Sequence, residues 1–155
     1  FFNSGPDAGA SQPHRHLQLL PRAAGERICA RDGWFRRCAQ DATTSVQDPL
    51  LRSSRVAAIS STLTGETLQD LYLALAQDLG LGHPSTDDCP RGAYNLLLSR
   101  EWMAIVRRRR EGIRGFSVNA LGFAGSLLST EASDRQWIQD SGPEALLQAV
   151  VDADD

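Results

Sequence analysis

The sequence predicts an α+β fold, an antiparallel sheet with helices packed against it, and three observations predict it. Two apolar runs, residues 93–98 and 102–106, flank Arg100 and Glu101 in the manner of a hairpin. Leu68, Leu71, Tyr72, Leu75 and Leu79 recur at helical spacing. Between Pro13 and Pro21 the stretch HRHLQLL alternates its side-chain types as an extended strand does. At 155 residues with 41% hydrophobic composition the chain suffices for one core. It reads as one domain over residues 1–151 and an acidic tail over 152–155.

In chain order, Phe1-Phe2-Asn3 reads as the tail of a strand that begins upstream, so the chain is expected to be incomplete at its N-terminus. A glycine-containing turn follows, and then the strand of residues 14–20, with His14, His16, Gln18 and Leu20 on one face. Residues 22–55 lack periodicity and are expected to be an irregular excursion; 56–59 is a strand candidate. Residues 66–79 form a helix behind Thr64 as N-cap and end at Gly80. Residues 83–92 are a loop, and 115–121 a further strand leading to a turn or helix start at 122–126. Ser141-Gly142-Pro143-Glu144 matches a capping box ahead of a helix reaching Val151.

Composition excludes several functions. No apolar run approaches the roughly 18 residues of a membrane span, and the start lacks a signal-peptide pattern, so the expectation is a cytoplasmic chain with no membrane partner. Cys29, Cys38 and Cys89 match neither a disulfide framework nor a zinc site. A net charge of −3 argues against nucleic acid as partner, although all sixteen basic residues are arginine. The run of residues 107–110 has no interleaved aromatic side chains and reads as a solvated surface. Trp34, Trp102 and Trp137 read as core, and Asn119, between apolar neighbours, as a hydrogen-bond node or ligand contact.

The chemistry concentrates in residues 4–21. Gly5 and Gly9 permit the backbone conformations of a phosphate loop, and Ser11 and Gln12 offer neutral donors. The chain has no lysine, so the loop is no Walker A motif. A neutral imidazole is a good nucleophile toward phosphorus if its second nitrogen holds the proton, and a backbone carbonyl can fix that tautomer. Gln18 points the same way as His16 and can donate to phosphoryl oxygens, yet it cannot act as a base for water.

Asn3-Ser4-Gly5, Gly9-Ala10-Ser11-Gln12 and His14-Arg15-His16-Leu17-Gln18 resemble the active-site segment of ATP adenylyltransferases. These are the diadenosine tetraphosphate phosphorylases of the histidine-triad and galactose-1-phosphate uridylyltransferase superfamily. Residues 94–98, 102–103 and 117–126 are similar to the C-terminal region of the same enzymes. The resemblance implies a histidine-triad-like sheet, with this chain as the C-terminal half of a longer enzyme. It implies that His16 takes up AMP, that His14 contributes its strand position, and that Gln18 binds the transferred phosphoryl group. Asn3, Gly9, Ser11 and Gln12 would surround the polyphosphate. Glutamine, where the superfamily's hydrolases carry a third histidine, implies phosphate as acceptor, converting diadenosine tetraphosphate to ATP and ADP. A magnesium ion (Mg2+) would ride on the nucleotide, since no carboxylate cluster stands ready to hold it. Transfer of AMP to sulfate, and nucleotide binding without turnover, stay open as alternatives.

Overall fold

The computed structural model describes residues 1–23, 25–40, 48–60 and 62–152. Its centre is a four-stranded antiparallel sheet in the order β1-β3-β4-β2, built from β1 (Phe2–Asn3), β2 (Ser54–Ala58), β3 (Tyr94–Leu98) and β4 (Trp102–Arg107). The expected hairpin joins β3 to β4. Ser99 N donates to Trp102 O at 2.9 Å and closes the turn over Arg100 and Glu101.

Period-two alternation gives each strand two faces, and the sheet buries both. Leu97, Trp102, Ala104 and Val106 join the larger core with Phe35, Phe123, Leu146 and Leu147. Tyr94 and Ile105 face the opposite way and pack with Ala76, Leu79 and Leu81. The helix α3 (Gly65–Asp78) covers this second face as its apolar spacing predicts. Thr64 and Thr67 cap it reciprocally: Thr64 N donates to Thr67 Oγ1 at 2.9 Å and Thr67 N to Thr64 Oγ1 at 3.3 Å. Gly80, at φ 68, ends it. Thr64→Ala removes one half of this cap and is expected to cost about 1 kcal/mol in urea unfolding; an unchanged midpoint would show the cap to be idle.

The excursion over residues 22–55 is partly helical, against expectation. It contains α1 (Asp32–Gln40) and the single turn α2 (Pro49–Arg52). The sequence hid α1 because only Phe35 of it is fully buried, stacked on Trp102 with ring centroids 4.3 Å apart. Asp32 carries the helix start: it accepts from Trp102 Nε1 at 2.8 Å and from Arg36 Nε at 2.5 Å. Of the three tryptophans expected in the core, Trp102 is fully buried, while Trp34 and Trp137 are half-buried against the same cluster.

Downstream, the strand expected over 115–121 shrinks to β6 (Phe116–Ser117), paired with β5 (Gly112–Ile113). Arg114 and Gly115, at φ 53 and 75, make the tight turn between them. The chain then enters α4 (Ala120–Ala124), whose N-cap is Asn119: its Oδ1 accepts from Leu121 N at 2.9 Å. The capping box at Ser141 does not form. Ser141 closes α5 (Arg135–Ser141), Gly142 breaks the chain at φ 81, and α6 (Pro143–Ala149) begins at Pro143 without a side-chain cap. Val150 and Val151 are buried beyond it, and of the acidic tail Asp152 pairs with Arg52 at 3.1 Å; residues 153–155 lie outside the described residues.

The strand expected over residues 14–20 is extended but barely laddered. Only Leu17 forms a bridge, to Phe2. The ladder stops because its partner leaves the sheet at once: β1 is two residues long and runs into a 3-10 turn at Pro6–Ala8.

Candidate active site

Phe1 and Gln18 exchange main-chain hydrogen bonds, Gln18 N to Phe1 O at 2.9 Å and Phe1 N to Gln18 O at 2.7 Å. With Phe2 opposite Leu17, the next opposing pair in this register is Asn3 and His16. Alternation therefore assigns Phe1, Asn3, His16 and Gln18 to one face, the face of the larger core. Arg15, Leu17 and Leu19 point away from it.

His16 and Gln18 are half-buried and touch each other. Gln18 Nε2 donates to His16 Nε2 at 2.8 Å, and His16 Nδ1 donates to His14 O at 3.2 Å. An amide nitrogen has only hydrogens to offer, so the imidazole proton is assigned to Nδ1 and the lone pair to Nε2. This is the tautomer that a nucleophilic imidazole needs, fixed by a carbonyl as the alternation suggested. His14 is exposed, its ring 5.2 Å from that of His16.

The glycine-containing turn is closed by its own main chain. Ala8 N donates to Gly5 O at 2.9 Å, Gly9 N to Pro6 O at 2.8 Å and Ala10 N to Gly5 O at 3.1 Å, so three successive amides close the turn on itself. Gly9 is required for another reason. Its φ is 75, and a Cβ there would sit 2.5 Å from Val118 O, so the turn packs directly on the segment that starts α4. Ser11 and Gln12 are exposed beside it, with their side chains open to solvent.

Asn3 belongs to a buried polar cluster that sequence reasoning missed. Its Oδ1 accepts from Asn95 Nδ2 at 2.7 Å and from Ala120 N at 2.9 Å. Asn95 Nδ2 also donates to Ala8 O at 2.8 Å, and Asn95 Oδ1 accepts from Arg108 Nη1 at 2.6 Å. Arg108, 3% exposed, donates further to the carbonyls of Val118, Arg110 and Glu111 at 2.7 to 2.8 Å. Its Nε is buried without a partner among the described residues. Burial pulls the guanidinium down to about 10, while Glu111 and Asp7 act the other way, and it stays a cation at neutral pH.

The arginine run is thus no uniform surface. Arg107 Nη1 donates to Leu79 O at 3.0 Å beyond the end of α3, Arg108 is interior, Arg110 is half-buried, and Arg109 is exposed. The signal was there to be used: extending the alternation of Trp102, Ala104 and Val106 by one step puts Arg108 on the core face. A separate hollow of about 260 Å³ lies on the other side of the extended segment, lined by Phe2, Asp7, Arg15, Cys89 and Tyr94 among others. His16 and Gln18 do not line it.

Residues 45–152 match the ATP adenylyltransferase C-terminal domain, and residues 1–29 match the Ap4A phosphorylase N-terminal domain. Protein APA1 of Saccharomyces cerevisiae is 28% identical over 146 residues, which cover 83% of this chain and 44% of that protein. The crystal structure of yeast Ap4A phosphorylase Apa2 superposes with a TM-score of 0.60 at 19% identity, covering 94% of this chain and 51% of the other. The chain thus spans about half the length of the relatives it matches. An antiparallel sheet with packed helices, this shared architecture and a family match over most of its length together place the chain in the ATP adenylyltransferase C-terminal domain family.

Proposed function

We propose that the protein is a nucleotidyltransferase that cleaves diadenosine tetraphosphate by phosphorolysis. The observation that carries this reading is the hydrogen-bonded pair of His16 and Gln18, which leaves a lone pair on Nε2 facing an amide donor. Nε2 attacks the terminal adenylyl phosphorus, the P–O bond to the remaining chain breaks, and ATP departs. An oxygen of inorganic phosphate then attacks the same phosphorus, the P–N bond breaks, and ADP leaves with His16 restored. As a nucleotide enters, the Gln18 amide turns from Nε2 to the phosphoryl oxygens, where it stabilises developing charge. Because glutamine does not take a proton from water, the adenylyl group waits for an acceptor that is already anionic.

On this reading Asn3, His14, Ser11 and Gln12 receive the polyphosphate, and Gly9 supplies the turn that leads to them. Among the described residues no group of three or more His, Cys, Asp or Glu lies together. Magnesium would therefore be carried by the polyphosphate, whose charge it neutralises. Among the same residues no helix is long and apolar enough to cross a membrane.

The test is incubation with diadenosine tetraphosphate, with and without phosphate. ATP and ADP formed only with phosphate is the expected outcome; ATP and AMP formed regardless of phosphate would refute the acceptor assignment. Sulfate dependence would instead assign sulfate as acceptor. Mass spectrometry of the protein after exposure to substrate should show one added AMP on His16, and nucleotide bound without that adduct would make the chain a binding module.

A further inference from the structure

The three polar side chains behind the site have a fixed order of donors and acceptors, set at its buried end. A guanidinium has no acceptor, so Arg108 forces the Asn95 amide to turn its oxygen toward Nη1 at 2.6 Å. Both hydrogens of Asn95 Nδ2 then point the other way, to Asn3 Oδ1 at 2.7 Å and Ala8 O at 2.8 Å. Asn3 Oδ1, which also accepts from Ala120 N at 2.9 Å, is held inward, so the Asn3 NH2 is the outward end, on the strand position opposite His16. Each step leaves the next amide one orientation. The reversed Asn95 would set an NH2 against a cation and a carbonyl oxygen against Ala8 O.

We infer that Arg108 and Asn95 are positioning residues, which lock Asn3 with its NH2 presented as a donor to the phosphoryl oxygens of a nucleotide at His16. This rests on the transferase reading for the identity of the ligand, but the orientation is a property of the unliganded protein. Asn3 with its carbonyl outward would repel the polyphosphate it is meant to receive. Among the described residues all four hydrogen-bond partners of Arg108 are carbonyl-type oxygens, so each of its bonds runs outward from the guanidinium.

The test is 15N NMR of side-chain amides with tripolyphosphate as probe, which carries the phosphoryl oxygens but no adenylyl group to transfer. In the wild-type protein the Asn95 NH2 should exchange slowly and stay put, while the Asn3 NH2 should exchange fast and move on titration. Asn95→Asp gives Arg108 a carboxylate partner but removes the donor to Asn3. The Asn3 amide should then turn inward, become protected, and stop responding, with probe affinity falling roughly tenfold, the worth of one charge-assisted hydrogen bond. An Asn3 NH2 that still moves in that variant, or that is protected in the wild type, overturns the inference. If Asn95→Asp does not fold, Asn3→Asp decides: its carboxylate keeps both accepted bonds but presents oxygen outward, so folding should persist and probe binding be lost, and binding at wild-type strength overturns it. Failure of the wild-type protein to form an AMP adduct, with the Asn3 response intact, counts against the transferase reading alone.

Discussion

Replacing His16 by asparagine is expected to lower phosphorolysis of diadenosine tetraphosphate by roughly 10⁴-fold or more, because it removes the group proposed to form the covalent bond. Asparagine occupies similar space, and its amide can still meet Gln18, so the extended segment should keep its bonds to Phe1 at 2.7 and 2.9 Å. It has no nitrogen lone pair to attack phosphorus. The AMP adduct should therefore vanish while nucleotide affinity changes only a few-fold, which separates loss of chemistry from loss of the pocket. Adduct formation in His16→Asn would move the nucleophile elsewhere, and His14, 5.2 Å away ring to ring, is the first place to look.

The largest effect on stability is expected at Arg108. Arg108→Met keeps the bulk of the side chain but removes donors to four acceptors: Asn95 Oδ1 and the carbonyls of Val118, Arg110 and Glu111. Asn95 Oδ1 and Val118 O stay behind in the buried interior, while the Arg110 and Glu111 carbonyls are part-buried and Glu111 O still accepts from Val118 N at 3.0 Å. Stranding two buried acceptors and weakening two half-buried ones costs on the order of 3–5 kcal/mol, a large share of the roughly 5–15 kcal/mol that holds a domain together. The counter-effect is real, since desolvation already disfavours the charge and methionine does not incur it. The number of stranded acceptors decides the sign. Urea unfolding reads the outcome, and a midpoint equal to that of the wild type would show that the desolvation term wins. Arg108→Lys should recover only part of the loss, because one ammonium has three hydrogens and cannot span carbonyls on both sides of a planar fork.

Where pattern and local chemistry agree, the sequence was readable. The β3–β4 hairpin followed from two apolar runs around a short polar turn, and α3 from leucine spacing with a threonine cap. The pairing of His16 with Gln18 followed from period two alone, as their hydrogen bond at 2.8 Å reflects. Elements whose cause is distant in sequence were not readable. The short helix α1 exists because Phe35 meets Trp102 and Asp32 meets the same indole, neither of which is visible within its own nine residues. Asn119 was recognisable as a hydrogen-bond node but lies at a helix start rather than within a strand. The glycines of the opening turn were legible as points of backbone freedom, but the close approach of Gly9 to Val118 was not. Arg108 was hidden by its three arginine neighbours, since a charge run suggests solvent when read residue by residue.

The polar cluster ties Asn3 and Ala8 to Asn95, Arg108 and Ala120, partners as far as 117 positions apart. During synthesis, the opening segment leaves the ribosome long before the residues that hold it in place. Asn3 and Ala8 therefore stay without these partners until the stretch around position 120 has been made. On the proposed reading, the site is completed in one late step, when that stretch emerges and Ala120 N meets Asn3 Oδ1.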